Sequence, residues 1–301
     1  MIGGVFLING EGTETNVDTL NKLVRQQFSE YHISPLSGGG TNAVYVLERG
    51  GSRSVLKVAM VSNRNASVER ECLRILEESR TVPRLFQNFI LAERIGLHME
   101  FISGKTLLEH IQENLEAANN GAIYDIFSSL GRLLAEIHSA NIADCSQLRK
   151  IELEEPPSKP FIDNRLHKRS IELFSELSGT FARRASLLHG DFGYHNVIRD
   201  TSGNDRLIDW ELAGIGDPRT DMANVLFWTH LHFPDIAHEC GRRFVEAYLE
   251  RREEECNPEI IHRFVIFQVW RIIEMVTDDF PAPVKSEWNR RLAWAINHDF
   301  Y

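Results

Sequence analysis

Residues 187–211 read LLHGDFGYHNVIRDTSGNDRLIDWE, and this stretch constrains the chain more than any other. Two short apolar runs, Val197-Ile198 and Leu207-Ile208, flank the turn-forming residues Asp200, Thr201, Ser202, Gly203, Asn204 and Asp205. Aliphatic runs separated by such a cluster predict a β-hairpin. The hairpin would bring Asn196 and Asp209 together at its open end. Asp191 stands ahead of Asn196 at D-x-x-x-x-N spacing, just behind His189-Gly190.

These residue types suit one kind of chemistry. Transfer of a phosphoryl group needs a carboxylate to orient and deprotonate the attacking hydroxyl, and oxygen ligands for the magnesium that neutralises the phosphates. Asp191, Asn196 and Asp209 are groups of those types.

Composition narrows the field further. With 301 residues, 43% hydrophobic and 25% charged, the chain has the make-up of a globular protein long enough for one large domain or two lobes. The formal net charge of -10 and the lack of a dense Lys/Arg block argue against nucleic acid as a partner. Cys72, Cys145, Cys240 and Cys256 are far apart, with no C-x-x-C pair, so neither a zinc site nor a disulfide framework is expected. The most apolar helical stretch, 264–276, is broken by Gln268, Arg271 and Glu274, which argues against a membrane span. The first residues are too short an apolar run for a signal peptide, and a cytoplasmic location is expected.

Along the chain, Leu20, Leu23, Val24 and Phe28 recur at helical spacing and predict an amphipathic helix over 17–31. Gly38-Gly39-Gly40-Thr41-Asn42 then runs into alternating apolar residues. Glycines there let backbone amides approach phosphate oxygens, although an unliganded hairpin turn accounts for them equally well. Gly50-Gly51 marks a second hairpin leading into a strand over 54–60. Lys57 lies within that strand, where a lone lysine ordinarily faces solvent. A helix over 66–79 follows and carries Glu69 and Glu71. Periodicity alone does not decide which of them would meet a strand lysine.

Further strands are expected over 89–92 and 96–101, with a polar break at Ser103-Gly104-Lys105. Beyond it, helices are expected over 123–138, 164–177, 222–230, 234–250, 258–276 and 283–297. Thr220 or Asp221 is placed to cap the helix that follows Asp217-Pro218.

Glycine loop, strand lysine, helix glutamate, a break, then H-G-D-x-x-x-x-N and I-D-W: this order resembles the protein-kinase signature set. His189-Gly190-Asp191 stands where a protein kinase has H-R-D, and Ile208-Asp209-Trp210 stands in place of D-F-G, with no activation segment behind it. The pattern is similar to the aminoglycoside phosphotransferase and choline-kinase-like family, over residues 36–301. HGDFGYHNVI and IDWELAGIGDPRTDMANVLFW look most similar to its hygromycin-type branch.

The resemblance implies an α+β, bilobal, protein-kinase-like fold. A small antiparallel-sheet lobe would span 1–102 and a larger helical lobe 103–301, with ATP between them. It implies that Gly38, Gly39, Gly40, Thr41 and Asn42 cover the phosphates, and that Lys57 binds them while held by Glu71. Met99, Glu100 and Ile102 would contact adenine. Asp191 would be the catalytic base, and Asn196 and Asp209 the ligands of Mg2+. His189 and Asp221 would brace the catalytic loop.

The implied activity is ATP- and Mg2+-dependent phosphorylation of a hydroxyl on a small molecule such as an aminoglycoside or another cationic amino alcohol. A nucleotide-binding module without turnover and a protein kinase are the alternatives. Glu211, Asp235, Glu274, Asp278 and Asp279 are candidate negative charges for a cationic acceptor, with Trp270 as a flat surface beside them. Each has a plainer reading, as a solvated helix-end carboxylate or a core indole.

Overall fold

The computed structural model describes residues 14–36, 42–60, 63–143, 145, 147–181, 185–254 and 256–300. It divides into two compact units, Met1–Leu107 with His195–Ala213, and Leu108–Tyr194 with Gly214–Tyr301. The expected single cut between 102 and 103 therefore does not hold: the hairpin segment groups with the N-terminal part of the chain. The reason is pairing. Strand β6 (Gly104–Thr106) lies antiparallel to β8 (Val197–Asp200), which pairs with β9 (Asp205–Leu207). The Leu207 amide also donates to Thr81 O at 2.7 Å, and Arg206 donates to Val82 O and bridges to Glu100 at 2.8 Å.

In the first unit, five antiparallel strands form a sheet of order β1-β2-β3-β5-β4: β1 His32–Leu36, β2 Asn42–Arg49, β3 Ser52–Ala59, β4 Leu85–Leu91 and β5 Arg94–Glu100. Gly50 and Gly51 turn β2 into β3 with φ of 57° and 80°, a region that L side chains rarely enter. Helix α1 (Glu14–Gln27) covers one face. Leu20, Val24 and Phe28 pack with Ile33, Tyr45, Leu47, Leu56, Val58 and Leu91 in one core.

Leu56 and Val58 point into that core, so the strand's period of two sends Lys57 to the opposite face. Helix α2 (Asn63–Ile75) also packs on this sheet and carries the buried stripe Ala66, Glu69, Cys72 and Leu73.

The second unit is helical: α3 (Leu107–Glu116), α4 (Asn120–His138), α5 (Asn164–Leu177), α6 (Arg219–His232), α7 (Ala237–Leu249), α8 (Pro258–Met275) and α9 (Ala282–Asn297). A two-stranded ladder, β7 (Ser186–Leu188) with β10 (Gly214–Gly216), carries the loop that begins at His189. Helix α8 is buried on most of its circumference, from Ile260 through Ile273. Asn257 caps it by accepting from the Ile260 amide at 2.9 Å, with Pro258 in the first turn.

Helices α4 and α7 approach closely at Gly131, where an added Cβ would sit 2.2 Å from Phe244 O. The start of α6 differs from expectation. It begins at Arg219, and Asp217 accepts the Arg219 amide, while Asp221 lies inside the helix and turns inward. Among the described residues no helix is long and apolar enough to cross a membrane, and no two cysteines are joined in a disulfide.

Candidate active site

In the first unit the chemistry gathers around one ammonium group. Lys57 Nζ lies 2.7 Å from Glu69 Oε2, 2.7 Å from Asp209 Oδ1 and 2.7 Å from Glu211 Oε1. Asn42, the first residue of β2, donates its side-chain amide to Glu211. Lys57 and Glu69 are almost closed to solvent, with 12% and 3% of their side chains exposed, whereas Asp209 is open at 48%. Burial alone would lower the Lys57 pKa, but Glu69, Asp209 and Glu211 outweigh it and raise the value. Burial pushes Glu69 up to about 7, against the pull of Lys57 and with the repulsion of Asp209 and Glu211 behind it.

The backbone is also special here. Asp209 adopts φ 68°, ψ 63°, a left-handed conformation that non-glycine residues seldom take. It breaks the strand after Leu207 so that Trp210–Leu212 form a 3-10 turn, and this turn brings Glu211 back toward Lys57. Such outliers cluster where function holds the chain in place. At the mouth of the hairpin the Ile208 amide donates to Asn196 O at 2.9 Å, so Asn196 and Asp209 are brought to the same end, as the turn chemistry predicts.

The residues present fit a magnesium ion. Carboxylate oxygens of Glu69, Asp209 and Glu211 lie within 4.8 Å of one another, and one ammonium leaves that group with surplus negative charge. The open Asp209 carboxylate and the buried Asn196 are hard oxygen donors of the kind magnesium takes.

In the second unit, the loop after β7 is held by a buried carboxylate. Asp221 accepts the amides of His189 at 2.8 Å and Gly190 at 2.9 Å, and lies 3.3 Å from His138 Nε2. His138 Nδ1 in turn meets Tyr248 Oη at 2.9 Å. Burial works to raise the Asp221 pKa, but the contacts with His138 and His189 hold it below the ordinary value. Gly190 has φ 85°, which accounts for glycine at that position. Asp191 follows, its own amide directed at His189 Nδ1 at 3.3 Å.

Several expectations need correction. Glu69, not Glu71, pairs with Lys57: it lies on the buried stripe of α2, while Glu71 points away and binds Arg74 at 2.7 Å. Glu211 is buried beside Lys57 rather than offered to an acceptor. Trp270 is 1% exposed and packs edge-on to His167 in the core, so it presents no flat surface. The Glu100 amide is committed to Arg84 O at 2.9 Å, which removes it as an adenine donor; Met99 and Ile102 are buried beside it. Gly38, Gly39, Gly40 and Thr41 lie outside the described residues.

A profile of the phosphotransferase enzyme family matches residues 32–256. This chain belongs to that family. A stretch of 42 residues is 43% identical to hygromycin-B 4-O-kinase of Escherichia coli, covering 14% of this chain and 12% of that enzyme. Two solved structures share the fold. A thermostable mutant of aminoglycoside phosphotransferase APH(4)-Ia, in ternary complex with ADP and hygromycin B, superposes with TM-score 0.57 at 15% identity over 91% of this chain and 97% of that one. Choline kinase LicA from Streptococcus pneumoniae superposes with TM-score 0.62 at 15% identity over 92% and 99%.

Within this phosphotransferase chain, the remaining acidic candidates separate by position. Glu274 and Asp278 line a cleft of about 620 Å³ in the second unit, together with Glu154, Glu155 and Lys159. Burial raises the Glu274 pKa, with Arg271 acting against it. Asp235 and Asp279 are exposed and do not line that cleft. Asn224 and Gln268, neither of them a site candidate from the sequence, are both buried. Asn224 Nδ2 reaches Asp191 Oδ1 at 3.4 Å and Phe192 O at 2.9 Å. Their signal in the sequence was a polar residue at a helix position that otherwise reads apolar.

Proposed function

We propose that this chain transfers the terminal phosphoryl group of ATP, with Mg2+, to a hydroxyl of a small molecule. The observation that carries the reading is the Lys57 ammonium surrounded by Glu69, Asp209 and Glu211 in a chain of the phosphotransferase family. In this reading Lys57 binds the nucleotide phosphates and Glu69 holds it in place when they arrive. Gly38, Gly39, Gly40, Thr41 and Asn42 lie against the phosphates, while Met99, Ile102 and the Glu100 carbonyl serve the adenine. Asn196 and Asp209 hold magnesium, which when bound offsets the charge of the phosphates.

Asp191 accepts the proton of the acceptor hydroxyl as its oxygen bonds to the γ-phosphorus, and ADP departs with the electron pair of the broken P–O bond. The loop that carries Asp191 is braced by Asp221 and takes no part in bond making.

The acceptor in this reading is a cationic amino alcohol or aminosugar. The cleft lined by Glu154, Glu155, Glu274 and Asp278, with Lys159 the one cationic residue lining it among the described residues, supports that choice. Arg271, one turn before Glu274 on α8, feels the charges of both Glu274 and Asp191, which associates the cleft with the candidate base. The test has two parts. A thermal-shift screen of aminoglycosides, choline analogues and sugar alcohols with Mg-ATP should single out acceptors, because a ligand that binds only the folded state raises its melting temperature. Asp191→Ala should then abolish transfer to those acceptors; a variant as active as wild type removes Asp191 as base. Tight Mg-ATP binding with neither hydrolysis nor transfer would replace this reading with a binding module.

A further inference from the structure

The carboxylate of Asp191 ends a line of hydrogen bonds that crosses two helices of the second unit. Arg271 Nη1 donates to Gln268 Oε1 at 3.0 Å, and Gln268 Nε2 donates to Asn224 Oδ1 at 2.9 Å. Asn224 Nδ2 donates to Asp191 Oδ1 at 3.4 Å and to Phe192 O at 2.9 Å. Gln268 and Arg271 stand on α8 and Asn224 on α6.

A carboxamide can be turned end for end, but a guanidinium only donates and a backbone carbonyl only accepts. Arg271 therefore makes Gln268 present its oxygen to the guanidinium and its NH2 to Asn224. Asn224 must then accept through its oxygen, which leaves its NH2 for Asp191 and Phe192. The Phe192 carbonyl, at the other end, imposes the same sense. Both ends agree, so every donor in the line points toward Asp191. Arg271 remains charged at neutral pH although burial, and then Arg149, press its pKa down to about 10.

We propose that Arg271 and Gln268 are positioning residues that set the direction of this line and so keep Asn224 donating to Asp191 Oδ1, which fixes the carboxylate's orientation. The inference rests on the reading of Asp191 as the base. It assigns to α8 a part in the reaction beyond its packing.

Gln268→Glu tests it. The new side chain has the same size and gives Arg271 an ionic partner, but it has no hydrogen to donate to Asn224. Asn224 is then drawn both ways, its NH2 toward the new carboxylate on α8 as well as toward Phe192 O and Asp191, so its donation to Asp191 Oδ1 weakens or is lost. The melting temperature should stay level or rise, the KM for ATP should not change, and kcat should fall about tenfold, the scale of one hydrogen bond to a charged group. A residue with only a packing role would not separate kcat from stability in this way. Gln268→Met, which removes donor and acceptor alike, should fall between the two. Wild-type kcat in Gln268→Glu overturns the proposal, as does a loss of kcat matched by a lower melting temperature and a raised KM for ATP.

A neutron structure of the same variant, in which the amide deuterons are seen directly, decides the matter without turnover. An Asn224 carboxamide turned or drawn away from Asp191 supports the proposal, and one still donating to it as in wild type overturns it. If wild type neither hydrolyses ATP nor transfers phosphate to any acceptor, the reading of Asp191 as base fails, while the structural comparison still judges the line of hydrogen bonds.

Discussion

Glu69 Oε2 and Lys57 Nζ sit 2.7 Å apart with almost no access to solvent, whereas Glu71, two residues along the same helix, binds the surface residue Arg74. The two glutamates therefore separate cleanly in experiment. Glu69→Ala takes one partner from a buried ionic cluster and should cost about 3 kcal/mol of stability. Glu71→Ala loses a two-point pair with the exposed Arg74 and should cost about 1 kcal/mol or less. Urea denaturation of both variants, with the KM for ATP measured in parallel, checks the assignment; equal effects would return Glu71 to the site.

The brace beneath the Asp191 loop predicts a second outcome. Asp221→Ala leaves the His189 and Gly190 amides without their acceptor and His138 without its acidic neighbour. A loss of about 3 kcal/mol is expected from hydrogen bonds to a buried charge. Phosphotransfer should fall with it, because the loop that presents Asp191 is no longer tied to α6. Chemical denaturation and kcat on the same preparation measure both.

Acid sensitivity should trace to a buried histidine on α6. His230 Nδ1 meets His298 Nε2 at 2.9 Å, with His238 packed edge-on, and Asp299 and Phe300 close by on the C-terminal segment. Burial first, and then His298 and His238, bring its pKa from 6.5 to about 4. A histidine with a lowered folded-state pKa takes up its proton more readily when unfolded. Stability is therefore complete above 6.5 and is lost as pH falls toward 4. His230→Gln should flatten that decline between those values, measured by denaturant midpoints across the pH range. An unchanged slope would assign the decline to other groups.

Packing between α4 and α7 supplies a contrast of two glycines on one helix. Gly131→Ala would place a methyl 2.2 Å from Phe244 O, so α4 and α7 must separate, at about 1–3 kcal/mol. Gly121→Ala meets nothing nearer than Asn119 Oδ1 at 3.8 Å and should stabilise by about 0.5–1 kcal/mol through helix propensity. Calorimetry should show the melting temperature moving in opposite directions.

Much of the architecture is legible in local pattern. The helix over 164–177 is found at the bounds its periodicity predicts, and the Gly50-Gly51 turn joins the two strands on either side of it. Helix α3, ten residues long, was missed although its local pattern is helical; the other missed elements are short or context-dependent. Strands β6, β7 and β10 have three residues each and exist only because distant partners complete them. Trp270 went astray for a related reason: a helix apolar on most sides gives no indication of which aromatic faces a cleft.

The sequence by itself determined the hairpin that joins Asn196 to Asp209, the strand that carries Lys57 and the order of these motifs, because turn chemistry and period-two alternation act over a few residues. Tertiary structure decided what surrounds them. Lys57 meets Asp209 across 152 positions of chain, Asn42 meets Glu211 across 169, and Gln268 meets Asn224 across 44. Partners that far apart are chosen by which faces of strand and helix the core buries. Glu69 rather than Glu71 reaches the lysine because Ala66, Cys72 and Leu73 must face inward, and that helix turn carries Glu69 with them.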